Sequence, residues 1–232
     1  MHILLTRPLE DCSDLIIKFK KLGHSVSHFP LIKIKKMEYG EINFNDFSAI
    51  IFTSSNSIKN LKLDNINRTL KCFCVGSTTE KIARATGFQN VIAADGNVRA
   101  LKELILQNHD KKNGKILYVS GELISFNLEE DLRKEGYEII RIINYSVEHN
   151  DEIKDDLIEE LKKNIPDIVY VYSENSSKSF LNIIKKYQLI DSWMNTNLMC
   201  IGEKTSSVLN EVKWKKIFLF NPGEEEFLLY KV

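Results

Sequence analysis

The sequence predicts an α/β protein with parallel sheets, and three observations support this prediction. Strand-like runs alternate with helix-like segments along the 232 residues, an order typical of parallel sheets flanked by helices. Runs such as IIF and VYVY are apolar at every position, as in strands that are buried on both faces. Residues 1–98 and 115–232 weakly repeat the same series of elements, which indicates two similar halves. The length allows one large domain or two small ones.

Each half opens with a strand, a helix and a second strand. HILLT (2–6) predicts a buried strand, and a helix is predicted over about 11–22, with Leu15, Ile16, Phe19 and Leu22 on one face. Gly23 is expected to end this helix as a C-terminal cap. KILYVSGE, LEEDLRKEGYE and EIIRIINYSV repeat the pattern over 115–147, where Gly136 takes the place of Gly23.

The middle and end of each half also correspond. SAIIFTSSNSIKNL (48–61) and DIVYVYSENSSKSFL (167–181) each predict a strand, a polar loop and a helix. CFCVGSTTEKIARATGF (72–88) and LMCIGEKTSSVLNEVKW (198–214) each predict a strand, a glycine turn and a helix. LIKIKK (31–36) and IINYSV (142–147) occupy the same place in the two halves, and are the best candidates for strands that connect two domains.

Composition and charge exclude several classes of function. The formal net charge is zero, so the bulk charge predicts neither nucleic-acid nor membrane binding. No run approaches the roughly 20 apolar residues that span a bilayer, and the N-terminus lacks the pattern of a signal peptide. We therefore expect a cytoplasmic protein. The four cysteines are expected to be buried and reduced, and neither cysteines nor histidines have metal-ligand spacing.

Small hydroxyl and amide residues follow most of the predicted strands. Because ligands of open α/β sheets bind beyond the carboxyl ends of the strands, these loops are candidate ligand sites. Helix N-termini there would favour carboxylate or phosphate groups. Taken singly, each loop is more typical of a helix cap than of a ligand site, and Ser77 with Glu80 fits a capping box; taken together, the loops favour a polyanion. The loops are TR (6–7), TSSN (53–56), GSTT (76–79), SG (120–121), SEN (173–175) and GEKT (202–205).

The order and spacing of several motifs resemble the uroporphyrinogen-III synthase family over essentially the whole chain. The motifs are LLTRP (4–8), FPLIKI (29–34), IFTSSNSI (51–58), VGSTTEKIARATGF (75–88), ILYVSGE (116–122), LRKEGYEI with YSV (132–147), VYSENSSKSF (171–180) and IGEKTSSVL (201–209). The resemblance implies two flavodoxin-like domains with a cleft between them, joined by a two-stranded β-ladder of about 31–36 and 142–147. One domain would combine 1–34 with 147–232, and the inserted domain would be 37–141.

The resemblance also implies a reaction. The family's substrate is hydroxymethylbilane, a linear tetrapyrrole with eight carboxylates, which loses water, inverts ring D through a spiro intermediate and closes to uroporphyrinogen III. We accordingly expect a cyclising lyase of haem and tetrapyrrole biosynthesis that needs no cofactor and no metal. We further expect a monomer that receives substrate transiently from hydroxymethylbilane synthase. The alternative is a non-catalytic two-domain α/β module that binds a carboxylate-rich metabolite.

The resemblance places candidate site residues one by one. The tyrosine of the second linker strand corresponds to Tyr145, expected to be the hydrogen-bond donor or general acid that helps the hydroxyl leave. Its alternative role is packing on the linker ladder. The expected substrate-binding residues are Arg7, Thr53, Ser54, Gly76, Thr79, Ser173, Gly202 and Thr205. The two glycines are expected to open main-chain amides to the carboxylates. Thr79 and Thr205 either contact substrate or cap their helices.

Overall fold

The protein is described by a computed structural model that covers residues 1–95, 97–150, 152–221 and 224–226. These residues form strands β1 (His2–Leu5), β2 (Ser25–His28), β3 (Ile32–Lys36), β4 (Phe47–Phe52), β5 (Lys71–Val75), β6 (Asn90–Ala94), β7 (Lys115–Gly121), β8 (Ile139–His149), β9 (Ile168–Val171), β10 (Asn197–Cys200) and β11 (Lys216–Leu219).

Helices connect most of these strands. They are α1 (Leu9–Lys21), α2 (Ser55–Lys59), α3 (Ser77–Ala85), α4 (Val98–Asn108), α5 (Leu128–Lys134), α6 (Asp155–Lys163), α7 (Glu174–Lys186) and α8 (Gly202–Ser207). Three short 3-10 helices lie at Phe44–Asp46, Lys111–Asn113 and Ile190–Trp193. Strands and helices alternate as the sequence predicts.

The strands form two sheets with the same internal order. One sheet has the order β11-β10-β9-β1-β2, and the other has the order β3-β8-β7-β4-β5-β6. The described pairings are parallel in both sheets. Apart from β3, each strand of the second sheet therefore has a counterpart in the first. The prediction of an α/β fold with parallel sheets is confirmed.

The chain divides into two compact units, each containing one sheet. Unit 1 comprises Met1–Lys33 and Glu148–Val232, and unit 2 comprises Ile34–Val147. The first strand-helix-strand of the chain, from β1 to β2, thus belongs with the second half. The chain leaves unit 1 within β3 and returns within β8, which is next to β3 in the sheet order.

Each sheet is covered by apolar clusters on both faces. Alternate residues of a strand point to opposite faces, and in β9 Val169 and Val171 belong to one cluster while Ile168 and Tyr170 belong to the other. In β4, Ile50 and Ile51 divide in the same way. This burial on both faces explains the continuous apolar runs of the sequence.

Glycines with positive φ end the first helix of each repeat. Gly23 has φ 82° and Gly136 has φ 91°, a conformation that glycine adopts without the penalty of a Cβ atom. Both glycine predictions are confirmed. The helix ends one residue earlier than expected, at Lys21, and Leu22 in the following turn is 53% exposed.

Candidate active site

In each sheet, two adjacent strands are followed by connections that run in opposite directions. These strands are β4 and β7 in unit 2, and β9 and β1 in unit 1. A crevice forms at such a switch point beyond the carboxyl ends of the strands, and ligands of open α/β sheets bind there. Several of the predicted site residues directly follow these four strands.

The switch point of unit 2 contains a cavity of about 150 Å³. Thr53 and Ser54 line it from the end of β4, Tyr118 and Gly121 line it from β7, and Tyr145 lines it from β8. Three of the predicted site residues, Thr53, Ser54 and Tyr145, therefore lie around one cavity. Tyr145 is 8% exposed, which is compatible both with packing and with a hydroxyl that faces the cavity.

Tyr118 is a second phenol of this cavity that sequence reasoning missed. Its hydroxyl lies 3.2 Å from Thr53 Oγ1, within hydrogen-bond distance. Burial raises the pKa of Tyr118 above its ordinary value, an effect that the hydrogen bond with Thr53 and the charge of Arg141 oppose. Tyr118 therefore stays protonated at neutral pH. In the sequence it resembles any apolar strand residue, because its proximity to Thr53 depends on the pairing of β4 with β7.

Ser54 and Ser173 have the same role in the two units. Ser54 is the N-cap of α2 and accepts a hydrogen bond from the Asn56 amide at 3.2 Å. Ser173 is the N-cap of α7 and accepts one from the Ser176 amide at 3.1 Å. Both predicted substrate-binding serines therefore stabilise helix starts. The Ser173 hydroxyl has a second partner, since Ser176 Oγ lies 2.9 Å away, within hydrogen-bond distance.

The glycine turn of unit 2 differs from the prediction in two details. Gly76, with φ 77°, is itself the N-cap of α3, and no side chain caps this helix. The capping box of Ser77 and Glu80 is therefore wrong, and Glu80 instead pairs with Arg84 at 2.8 Å. The Gly76 amide donates to the Ala94 carbonyl at 2.9 Å, so it is not an open amide. The amides at 77–79, in the first turn of α3, lack intrahelical partners.

Neither predicted threonine caps its helix. Thr79 is buried in the first turn of α3, and no side-chain hydrogen bond caps that helix. Thr205 is buried as well, and its Oγ1 donates to the Ile201 carbonyl at 2.7 Å, one turn back in α8. Gly202, at the start of α8, has φ 74°. A Cβ added at Gly76 or Gly202 would meet nothing within 4 Å, so space lies open at both turns.

Arg7, at the switch point of unit 1, already has an acidic partner. Its guanidinium carbon lies 3.9 Å from the centre of the Tyr172 ring, and its Nη1 lies 3.7 Å from Glu225 Oε1. The Tyr170 hydroxyl donates to the Glu225 main-chain carbonyl at 2.7 Å. Arg7, one of the predicted binding residues of unit 1, is thus already paired with a carboxylate of the chain itself.

A larger groove, of about 820 Å³, lies elsewhere in unit 1 and contains none of the predicted site residues. Among the described residues, no three His, Cys, Asp or Glu side chains are placed to hold a metal ion. All four cysteines are buried and free. Over the same residues, no helix has the length and apolar character needed to cross a membrane.

Comparisons with known proteins agree with one another. A family model described as "Uroporphyrinogen-III synthase HemD" matches residues 13–219, a range that includes all the predicted site residues except Arg7. The Porphyrin biosynthesis protein HemD of Ruminiclostridium josui is 25% identical over 227 residues, covering 88% of this chain and 42% of that protein. The chain therefore spans less than half the length of this curated relative.

Two solved structures share the fold over nearly their whole length. Uroporphyrinogen-III synthetase from Helicobacter pylori has a TM-score of 0.67 and 17% identity, with 100% of each chain covered. A mutant uroporphyrinogen III synthase from Thermus thermophilus has a TM-score of 0.59 and 14% identity, covering 100% of this chain and 98% of that one. At these identities the likeness concerns the fold alone.

Proposed function

The chain belongs to the uroporphyrinogen-III synthase family, and we propose on that basis that it cyclises hydroxymethylbilane to uroporphyrinogen III. The reaction removes water from the hydroxymethyl group, inverts ring D through a spiro intermediate and closes the macrocycle. The observation that carries the proposal within this chain is the unit 2 cavity, where Tyr145 and Thr53 lie together with Tyr118. These groups can bind and polarise a hydroxyl without a covalent intermediate.

Tyr145 is the proposed proton donor to the departing hydroxyl. As the carbon–oxygen bond breaks, the phenol supplies a proton to the leaving oxygen, and the pyrrole N–H loses a proton to give an azafulvene. The phenol is then restored, so that water is the net product. A positioned general acid typically contributes about 10²- to 10⁴-fold to the rate. The pyrroles supply the carbon–carbon bond formation, so the protein needs mainly to hold the substrate folded.

The substrate carboxylates are proposed to bind at the strand-end loops of both units. Gly76 and Gly202 leave space at their turns. The main-chain amides at 77–79 have no partner within the helix and are suited to binding a carboxylate. Thr79 and Thr205 belong to the same turns. Ser54 and Ser173 would add donors from their capping positions, and Arg7 would pair with a carboxylate after releasing Glu225.

We extend the proposal to the organisation of the chain. Units 1 and 2 would be the two functional domains, 1–34 with 147–232 and 37–141, linked through β3 and β8. The enzyme would act as a cytoplasmic monomer and accept hydroxymethylbilane from its synthase by transient hand-over. Sedimentation of the protein alone measures the oligomeric state, and sedimentation with that synthase measures the association needed for hand-over. The alternative is a non-catalytic module for a carboxylate-rich metabolite. Family membership and the phenol at the cavity favour the enzyme over this alternative.

The test of the function is the isomer of the product. Hydroxymethylbilane generated enzymatically is supplied to the purified protein, and the uroporphyrins are separated after oxidation. We expect the type III isomer in excess over the protein-free control, which closes spontaneously to type I. Type I alone, at the rate of the control, would refute the proposed activity.

A further inference from the structure

The pairing of β7 with β8 changes register immediately before Tyr145. Ser120 pairs with Ile143, but the next residue, Gly121, pairs with Tyr145. Asn144 is therefore the extra residue of a bulge. A shift of one residue reverses the faces to which the following side chains point, and bulges are used in this way to re-aim side chains beside active sites. The bulge thus places Tyr145, rather than Asn144, opposite Gly121.

The extra residue is itself held in place. Asn144 is fully buried, and its Nδ2 donates to the Ser57 carbonyl at 2.7 Å. Its main-chain carbonyl accepts from the Met37 amide at 3.0 Å. One hydrogen bond of the side chain and one of the main chain therefore stabilise the bulge in β8.

The Tyr145 ring occupies the space that a side chain at residue 121 would need. A Cβ added to Gly121 would lie 2.6 Å from Tyr145 Cζ, 2.8 Å from Cε2 and 2.9 Å from the hydroxyl oxygen. Real Cβ atoms do not approach other heavy atoms so closely. The contact involves the hydroxyl end of the ring, so any side chain at residue 121 would displace the atom that is to donate the proton.

Arg141 fixes the turn against which this ring lies. Its Nε donates to Ser120 Oγ at 2.8 Å, and its Nη2 donates to the carbonyls of Gly121 at 2.8 Å and Glu122 at 3.1 Å. The guanidinium is planar and its donors form a rigid fork, so three bonds to consecutive residues define the path of the main chain. Within the described ranges, no carboxylate lies at ion-pair distance from Arg141.

We propose that Gly121 and Arg141 are positioning residues for the Tyr145 phenol, an inference that rests on the proposed function. Gly121 provides the room and Arg141 holds the main chain that borders it. Neither residue needs to touch the substrate. Reacting groups must be held to within about 0.5 Å of their productive geometry. The hydrogen bonds from Arg141 keep the main chain at Gly121 from moving towards the Tyr145 ring.

The test is a double-mutant cycle between residues 121 and 145. Gly121→Ala is expected to lower kcat by about 100-fold, the effect of misplacing a reacting group by about 1 Å, with KM little changed. In the Tyr145→Phe background the same substitution should cause no further loss of kcat, because the misplaced hydroxyl is already absent. Gly40→Ala is the matched control, since a Cβ there meets nothing within 4 Å, and it should retain full activity.

Arg141→Lys provides a second arm if Gly121→Ala fails to fold. Lysine keeps the charge but cannot form the fork, and we expect about a tenfold lower kcat, the equivalent of one hydrogen bond to a charged group. Wild-type kcat in both variants, or equal losses with and without the Tyr145 hydroxyl, would overturn the positioning role. Wild-type protein that makes no type III isomer would instead overturn the proposed function.

Discussion

The switch points of the two units share a strand order but are filled differently. In unit 2, the ends of β4 and β7 border a cavity of about 150 Å³ that Tyr145 also lines. In unit 1, Arg7 lies against Tyr172 and pairs with Glu225 of the same chain. The topology thus determines where a ligand can bind, and the side chains determine whether that place is open.

The difference between the two switch points can be followed at residues that occupy corresponding positions in the two units. Ser54 and Ser173 are both helix N-caps, so this pair maintains the fold in each unit. The residues directly before them differ, being Thr53 in unit 2 and Tyr172 in unit 1. Thr53 lines the cavity and shares a hydrogen bond with Tyr118, whereas Tyr172 is a buried ring that lies against the Arg7 guanidinium. The chemistry is therefore expected to reside in unit 2.

The largest effect is expected from Tyr145→Phe. Loss of the proposed proton donor should lower kcat by about 10- to 10,000-fold. Steady-state assays with hydroxymethylbilane measure the change. Tyr187→Phe is the control, because the Tyr187 hydroxyl accepts a long hydrogen bond from the Ile153 amide, at 3.4 Å, and lies outside the unit 2 cavity. Full activity of Tyr145→Phe would reassign Tyr145 to packing and remove the contrast between the units.

A smaller effect is expected from Thr53→Val, which keeps the shape of the side chain but removes the hydroxyl that contacts Tyr118. We expect kcat/KM to fall about tenfold, the scale of one lost buried hydrogen bond. Thr69→Val, at an exposed turn, should have no effect on the same assay. If Thr53→Val and Thr69→Val have the same kcat/KM, the Thr53 hydroxyl does not account for the difference between unit 2 and unit 1.

Glu225→Gln tests whether unit 1 is closed by its own carboxylate. With the charge removed, Arg7 can pair with a substrate carboxylate, and KM should fall by up to about fivefold, the equivalent of an ion pair of about 1 kcal/mol. Glu226→Gln is the matched control, because Glu226 pairs with Lys18 at 2.5 Å instead. An unchanged or raised KM for Glu225→Gln would mean that Arg7 has only a structural role.

The smallest effect concerns stability. The Tyr172 hydroxyl is buried and has no hydrogen-bond partner within the described residues, and such a group is destabilising by about 1 kcal/mol or more. Tyr172→Phe should therefore raise the free energy of unfolding by about that amount, whereas Tyr118→Phe should lower it. Urea denaturation with an unchanged m-value measures both. A destabilised Tyr172→Phe would indicate a partner for its hydroxyl.

The sequence predicted the parts of the fold that depend on local pattern. Apolar runs identified β4 and β9, and the spacing of Gly23 and Gly136 identified the equivalent helix ends. The structure places Thr53 and Tyr145 around one cavity, an arrangement that the sequence did not predict, and their roles remain predictions that rest on the resemblance to a family. Local composition was sufficient for β4 and β9 because these two strands are buried on both faces.

The remaining features depend on contacts between distant segments. Tyr118 reaches Thr53 only because β7 pairs with β4, and Glu225 meets Arg7 from the opposite end of the chain. The bulge at Asn144 is defined by the pairing of β8 with β7, which the sequence of β8 alone does not reveal. The capping box at Ser77 was wrong because Gly76 starts the helix itself, so a matching local pattern did not determine the cap.

The most direct measurement is the isomer composition produced by three proteins under identical conditions. Wild type, Tyr145→Phe and Tyr172→Phe are each supplied with enzymatically generated hydroxymethylbilane, and types I and III are quantified after oxidation. We predict mainly type III from wild type and Tyr172→Phe, and mainly spontaneous type I from Tyr145→Phe. Type III at the wild-type rate from Tyr145→Phe, or type I alone from the wild type, would contradict an active site in unit 2.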